Sequence, residues 1–166
     1  FGNLADEYWA GDGFAGERAN MTQQSSPTLV KWANWMGSQG VGIHQHCCTA
    51  VATTWYRPHQ NCAMRVLGAP FCAVCKQAIV ERIHLFTSPV LSYAPASNAL
   101  AYVAPFTASV NLLAPEPNTL RIRWKVNGQE QATQAPALNI NAGMLVPGTN
   151  TIRVLIEDTS AFLRVD

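Results

Sequence analysis

The densest run of ligand-bearing and nucleophilic side chains is His44-Gln45-His46-Cys47-Cys48, followed by Cys62 and by the pair Cys72 and Cys75. On an extended segment His44 and His46 would share one face, with Cys47 pointing away. No second ligand pair stands at zinc-finger spacing, so the expectation is oxidised cysteines and solvated histidines in a glycine-containing loop. Cys72-Ala-Val-Cys75 is a CxxC at a helix start. Redox chemistry would ask for a βαβ unit before it, and a zinc ribbon for a second CxxC; neither is present. A structural role is expected instead, with one or both cysteines tying the helix to Cys62, or to Cys47 or Cys48. Asp6 and Glu7 are adjacent carboxylates that point in different directions on any regular element, so they do not make a ready acid–base pair. No GxSxG, phosphate loop or dinucleotide fingerprint occurs. His59 and His84 stand alone.

The surrounding chain narrows what this chemistry can serve. It has 166 residues, 48% hydrophobic and 13% charged, with a net charge of +1. That composition excludes disordered and collagen-like classes, and the charge balance argues against a nucleic-acid partner. No apolar run approaches the roughly 20 residues of a membrane-spanning helix. All five cysteines fall between residues 47 and 75, and lysine is confined to Lys31, Lys76 and Lys125. This usage favours a secreted, periplasmic or cell-surface protein with one or two disulfides among Cys47, Cys48, Cys62, Cys72 and Cys75, the odd count leaving one thiol over. The chain starts at Phe1, as a processed product or a fragment would.

Two regions must position these residues, and the composition changes near residue 85. Before it lie every cysteine and histidine. A first helix is expected from Ser26-Pro27 to about Met36, with Leu29, Trp32, Ala33 and Met36 on one face. A second should begin at Pro70, with an apolar stripe of Phe71, Val74, Cys75, Ala78, Ile79 and Ile83. Residues 37–69 between them show no long periodicity, which in a compact domain signals a functional or disulfide-tied loop. After residue 86 the pattern turns to period two. Residues 107–113, 120–126 and 149–157 read as strands, with turns at Asn127-Gly128 and Pro147-Gly148. The fold class expected is α+β, with region 1–86 followed by an all-β immunoglobulin-like sandwich at 87–166.

Four stretches carry a resemblance: Phe1-Gly-Asn-Leu-Ala-Asp-Glu-Tyr8, Lys31-Trp32, Tyr56-Arg-Pro-His-Gln-Asn-Cys-Ala-Met-Arg65 and Pro70-Phe-Cys-Ala-Val-Cys-Lys-Gln-Ala-Ile79. In order and spacing they resemble the IgA peptidase family of secreted zinc metallopeptidases, over residues 1–84 and more loosely to the end. The resemblance implies that region 1–86 is the C-terminal part of a metzincin-like catalytic domain. In that family a His-Glu-x-x-His helix ends just before the residue matching Phe1, and this chain has no HExxH. Carried over residue by residue, Gly2 matches the glycine where the chain leaves the zinc helix. Asp6 is the candidate third metal ligand, one position beyond the usual register, with Glu7 an alternative. Met64 matches the methionine of the turn beneath the metal.

The resemblance thus implies a fragment of a secreted zinc metalloendopeptidase that hydrolyses peptide bonds with a metal-activated water. The chain alone is expected to be inactive and to bind zinc weakly or not at all, because one carboxylate cannot replace a three-ligand site. Its partners would be a protein or peptide substrate in the parent, and an upstream chain or a second copy of itself. The alternative is a non-catalytic immunoglobulin-like adhesion or assembly module with a disulfide-tied N-terminal cap.

Overall fold

The computed structural model describes residues 3–6, 17–46, 51–96, 101 and 105–164. Gly2, Glu7, Cys47 and Cys48 lie outside the described residues. The architecture is α+β, with one α-helix and eight short strands, all antiparallel, among the described residues. The chain divides into two compact units, Phe1–Thr87 with Ala161–Asp166, and Ser88–Ser160. The second unit therefore stops short of the expected end at 166. Arg164 belongs with the first unit: it stacks 4.1 Å over the Trp35 ring, and its guanidinium donates to the Asn34 carbonyl and the Ser38 hydroxyl.

In the first unit the expected helix at 26–36 does not form. Ser26 opens only a turn, and the one regular piece is a single 3-10 turn at Ala33–Trp35. Thr28, Val30, Trp32 and Asn34 are weak helix formers, and the core needs both indoles on one side. A 3-10 winding aligns positions i and i+3, so Trp32 and Trp35 enter the same core, 1% and 2% exposed. Each indole N–H finds a partner, Trp32 on the Gly42 carbonyl and Trp35 on the Gln77 side chain. Leu29, expected on the buried face, is exposed, and Val30 is buried in its place.

Two short strands, β1 (His44–Gln45) and β2 (Tyr56–Arg57), pair antiparallel and carry His44 opposite Arg57. The helix α1 runs Ala73–Phe86, three residues later than the Pro70 start expected. Cys72 is its N-cap, with ψ 167°, so the chain is still extended there. Only the first half of α1 is buried, through Ala73, Val74, Cys75 and Ala78. These pack with Val30, Trp32, Trp35, Val41, Cys62 and Cys72 into one core, against which Met64 and Leu4 rest. Ile83, Leu85 and Phe86 are exposed.

In the second unit period two holds. β3 (Val90–Ala94), β4 (Phe106–Leu112) and β7 (Ala137–Ile140) make one sheet, in the order β3-β4-β7. β5 (Leu120–Val126), β6 (Gln129–Glu130) and β8 (Ile152–Asp158) make the other, in the order β6-β5-β8. Ile122, Trp124 and Val126 are buried, whereas Arg121 is exposed and Arg123 and Lys125 only half-buried. Asn127 and Gly128 both take positive φ, 50° and 83°, the two-residue hairpin geometry that Asn-Gly favours. Ala108, Val110, Leu138 and Ile140 from the first sheet and Ile122, Trp124 and Val126 from the second share one apolar core, so the two sheets pack face to face.

Candidate metal centre

Two polar constellations sit side by side in the first unit, and a buried arginine borders both. Arg57, on β2, is 3% exposed. Its Nε donates to His46 Nδ1 at 2.9 Å and its Nη1 to the Met64 carbonyl at 3.1 Å. Its Nη2 donates to the main-chain carbonyl of Asp6. One planar fork thus joins the candidate ligand segment, the candidate methionine turn and a histidine. Burial and the nearby Arg65 pull the Arg57 pKa down, while Cys75, Cys62 and Asp6 oppose that shift. At an intrinsic value this high the group remains a cation.

The Asp6 segment is held from a second side. Asn20, 1% exposed, accepts from the Ala5 N–H and donates to the Ala5 carbonyl, both at 2.7 Å. A side-chain amide here does what a neighbouring strand would do. Ala5 is buried, and the following residue, Asp6, turns outward and is exposed. Bonds to the Ala5 and Asp6 main chains fix the backbone here, and Asp6 itself lies at the surface.

The histidines are not solvated as expected. His46 is 4% exposed and takes the Arg57 proton donor, which makes its Nδ1 an acceptor. His44 faces Gly42, where an added Cβ would stand 3.0 Å from His44 Nε2. That nitrogen is buried without a hydrogen-bond partner among the described residues. Burial, with the His59 and Arg65 charges, holds the His44 pKa below 6.5, partly offset by a backbone bond at Gly40.

The second constellation is Cys62, Cys72 and Cys75, all buried, with sulfur atoms within 4.8 Å of one another. Three thiols this close can bind a metal ion. Cys62 starts a tight turn, its carbonyl accepting from the Arg65 and Val66 N–H groups. Cys72 caps α1 and Cys75 lies in its first turn, so the CxxC spacing places both sulfurs at the helix N-terminus, beside Cys62. Side-chain contacts with Cys72 and Cys75, with the main-chain N–H groups of Cys72 and Met64, outweigh burial and hold the Cys62 thiol far below its usual range. Cys72 is pushed up to about 11, chiefly by Cys62, and Cys75 is raised by Cys62, Cys72 and burial.

The structure therefore brings Cys62 to the CxxC helix, and Asp6 to Met64 through Arg57. Sequence reasoning missed Arg57 and Asn20 as organisers. For Arg57 the only available signal was its place inside the Tyr56–Arg65 stretch; for Asn20 there was none. Comparison of this chain with protein-family models, with curated proteins and with solved structures finds no match in any of the three.

Proposed function

We propose that the first unit is the lower part of a metzincin-like catalytic domain from a secreted zinc metalloendopeptidase, and that the second is an immunoglobulin-like sandwich. In this reading Asp6 supplies one oxygen ligand to zinc and Met64 the apolar floor beneath it. Two histidines and a general-base glutamate come from an HExxH helix upstream. When bound, the zinc polarises a water for attack on the peptide carbonyl. This chain's own part is positional: Arg57 and Asn20 fix the backbone of Ala5 and Asp6, and Arg57 fixes the carbonyl of Met64.

The observation that carries the reading is the Arg57 fork. A ligand and the residue beneath a metal must be held in a constant relation, and one cation bonding to both main chains does that. Further support comes from a groove of about 610 Å³ beside the exposed half of α1, lined by Leu4, Ile79, Ile83 and Phe86 together with Arg18 and Arg82. An amphipathic upstream helix would suit such a wall. The test is to determine the N-terminal sequence and mass of the native protein, then assay it for zinc-dependent proteolysis. The expected result is an upstream HExxH, activity abolished by Asp6→Ala, and no activity from the 166-residue chain alone. A native protein without HExxH, or full activity in Asp6→Ala, defeats the reading.

The second reading, a non-catalytic adhesion or assembly module, is favoured by the edge strand β3. Leu91 and Tyr93 on it are 58% and 54% exposed, and an apolar edge can add a strand from another chain. Concentration-dependent association lost on Leu91→Lys, in a native protein lacking proteolysis, would favour this module.

A further inference from the structure

We propose that Cys62, Cys72 and Cys75 form a structural metal site, taking one thiophilic divalent cation, zinc by its chemistry, as three thiolates. The site is separate from Asp6 and does not depend on the peptidase reading. Zinc–thiolate bonds of about 2.3 Å in tetrahedral geometry set neighbouring sulfurs about 3.8 Å apart. Cys62 Sγ and Cys75 Sγ are 3.7 Å apart, and Cys72 Sγ completes a triangle in which no side exceeds 4.8 Å. A disulfide joins two sulfurs and leaves the third with no task. Here all three converge on one point, at 3%, 7% and 1% exposure.

Main-chain N–H donors already face two of the three sulfurs. The N–H of Cys72 reaches Cys62 Sγ at 3.3 Å, and the N–H of Met64, two residues after Cys62, donates to the same sulfur. The N–H of Cys75 donates to the Cys72 sulfur. Such donors stabilise a sulfur that has lost its proton. The helix N-terminus adds its positive end at Cys72 and Cys75. A zinc ion with three thiolates carries a net charge of −1, and the Arg57 cation lies within electrostatic reach of Cys62 and Cys75. Binding releases to solvent the protons still held by Cys72 and Cys75, and moves no electron, so no oxidant is consumed. Among the described residues no fourth Cys, His, Asp or Glu joins the cluster; a water would take the fourth position. The ion would pin the Met64 turn to α1, a tie that the sequence reading assigned to a disulfide.

The test uses the full chain, purified under reducing conditions and loaded with zinc or cobalt(II). The expected result is one ion per chain by native mass spectrometry, with intense sulfur-to-cobalt charge-transfer bands in the near ultraviolet. Cys62→Ser, Cys72→Ser and Cys75→Ser should each lower the affinity at least tenfold, whereas Cys47→Ser should retain the bands. If the serine variants fail to fold, alkylation of the unaltered chain decides. Peptides carrying Cys62, Cys72 and Cys75 should be protected from iodoacetamide with zinc bound and labelled after EDTA. Labelling that is the same with and without zinc overturns the proposal. So does a Cys62–Cys75 or Cys62–Cys72 disulfide in protein isolated from its native compartment.

Discussion

Arg57 Nη2 and the Asp6 carbonyl are hydrogen-bonded across 51 positions of sequence. The same guanidinium serves His46 and Met64, so Arg57 is the junction of three loops that share no regular element. Arg57→Ala leaves three acceptors without this donor, the His46 nitrogen buried and the Met64 and Asp6 carbonyls partly so. A buried group so stranded costs about 1–3 kcal/mol. With partial relaxation, the variant should lose about 3–5 kcal/mol. Arg57→Lys should recover less than half of this, since an ammonium has no planar fork to span three acceptors. Urea unfolding followed by tryptophan fluorescence of Trp32 and Trp35 reads the change; a loss under 1 kcal/mol for the alanine variant would contradict this account.

Asn20 and Ala5 give a cleaner test, because their two bonds have opposite polarity. Asn20→Ala removes both and should cost about 2–4 kcal/mol. Asn20→Asp keeps the acceptor for the Ala5 N–H but sets a carboxylate against the Ala5 carbonyl. Once protonated, the aspartic acid can donate to that carbonyl. The deficit of Asn20→Asp relative to the unaltered chain should therefore shrink as pH falls, while that of Asn20→Ala stays level. Parallel deficits in the two variants would mean the Asn20 donor contributes nothing.

What could be read from the sequence depended on how local the signal was. β5 was legible in full because Leu120, Ile122, Trp124 and Val126 alternate with three cations, and Asn127-Gly128 announces its hairpin. α1 was legible in kind, but its start was placed at Pro70, because nothing local shows that Cys72 stays extended to bring its sulfur to Cys62. The helix expected at 26–36 failed because the placement of Trp32 and Trp35 is decided by the Gly42 carbonyl and Gln77, which lie 10 and 42 positions away. Three cysteines were visible as ligands or disulfide material, but their convergence is a tertiary fact. A lone Arg or Asn in sequence is read as surface by default, and so Arg57 and Asn20 were invisible as organisers.

His44 sets a pH dependence whose sign follows from its depressed pKa. Burial, the His59 charge and the Arg65 charge disfavour its protonated form in the folded protein, against a backbone bond at Gly40 that favours it. The unfolded chain, titrating near 6.5, then binds the proton more readily than the native state. The His44 contribution is fully present above pH 6.5 and is lost as pH falls through the folded-state value. In NMR titration the His44 imidazole should respond below the midpoint of a peptide histidine. His44→Gln should flatten the decline in stability as pH falls below 6.5; an unchanged slope would place the effect elsewhere.

Glu17 acts on the acid side of the same curve. Burial alone would raise its pKa, but Lys31, at 2.8 Å, with the Gln23 N–H and the Thr22 hydroxyl, lowers it below 4.5. Its contribution is present above the unfolded-state pKa and lost as pH falls through the lower folded-state value. The Glu17 and Lys31 side chains remain 40% and 32% accessible, so the pair is solvent-screened and the contribution is small, under about 1 kcal/mol. Glu17→Gln should remove it at pH 7, with the difference from the unaltered chain vanishing once pH falls below the lowered folded-state value. Because the pair is exposed, 0.5 M salt should also erase most of the difference.

Ile140, with no exposed surface, and Trp124, 3% exposed, lie on opposite sheets of the second unit and share its core. Ile140→Ala removes a side chain that both sheets enclose and should cost about 2–5 kcal/mol, the spread depending on how far the sheets collapse into the void. Trp124→Ala should cost about 3–5 kcal/mol, and it also strands the Ala135 carbonyl, which accepts from the indole N–H at 2.9 Å. Because the second unit has a core of its own, either variant should accelerate proteolysis within residues 88–160 and leave the zinc protection of Cys62, Cys72 and Cys75 unchanged. Loss of that protection in Ile140→Ala would show that the thiol cluster depends on the second unit, against the separation of the two cores.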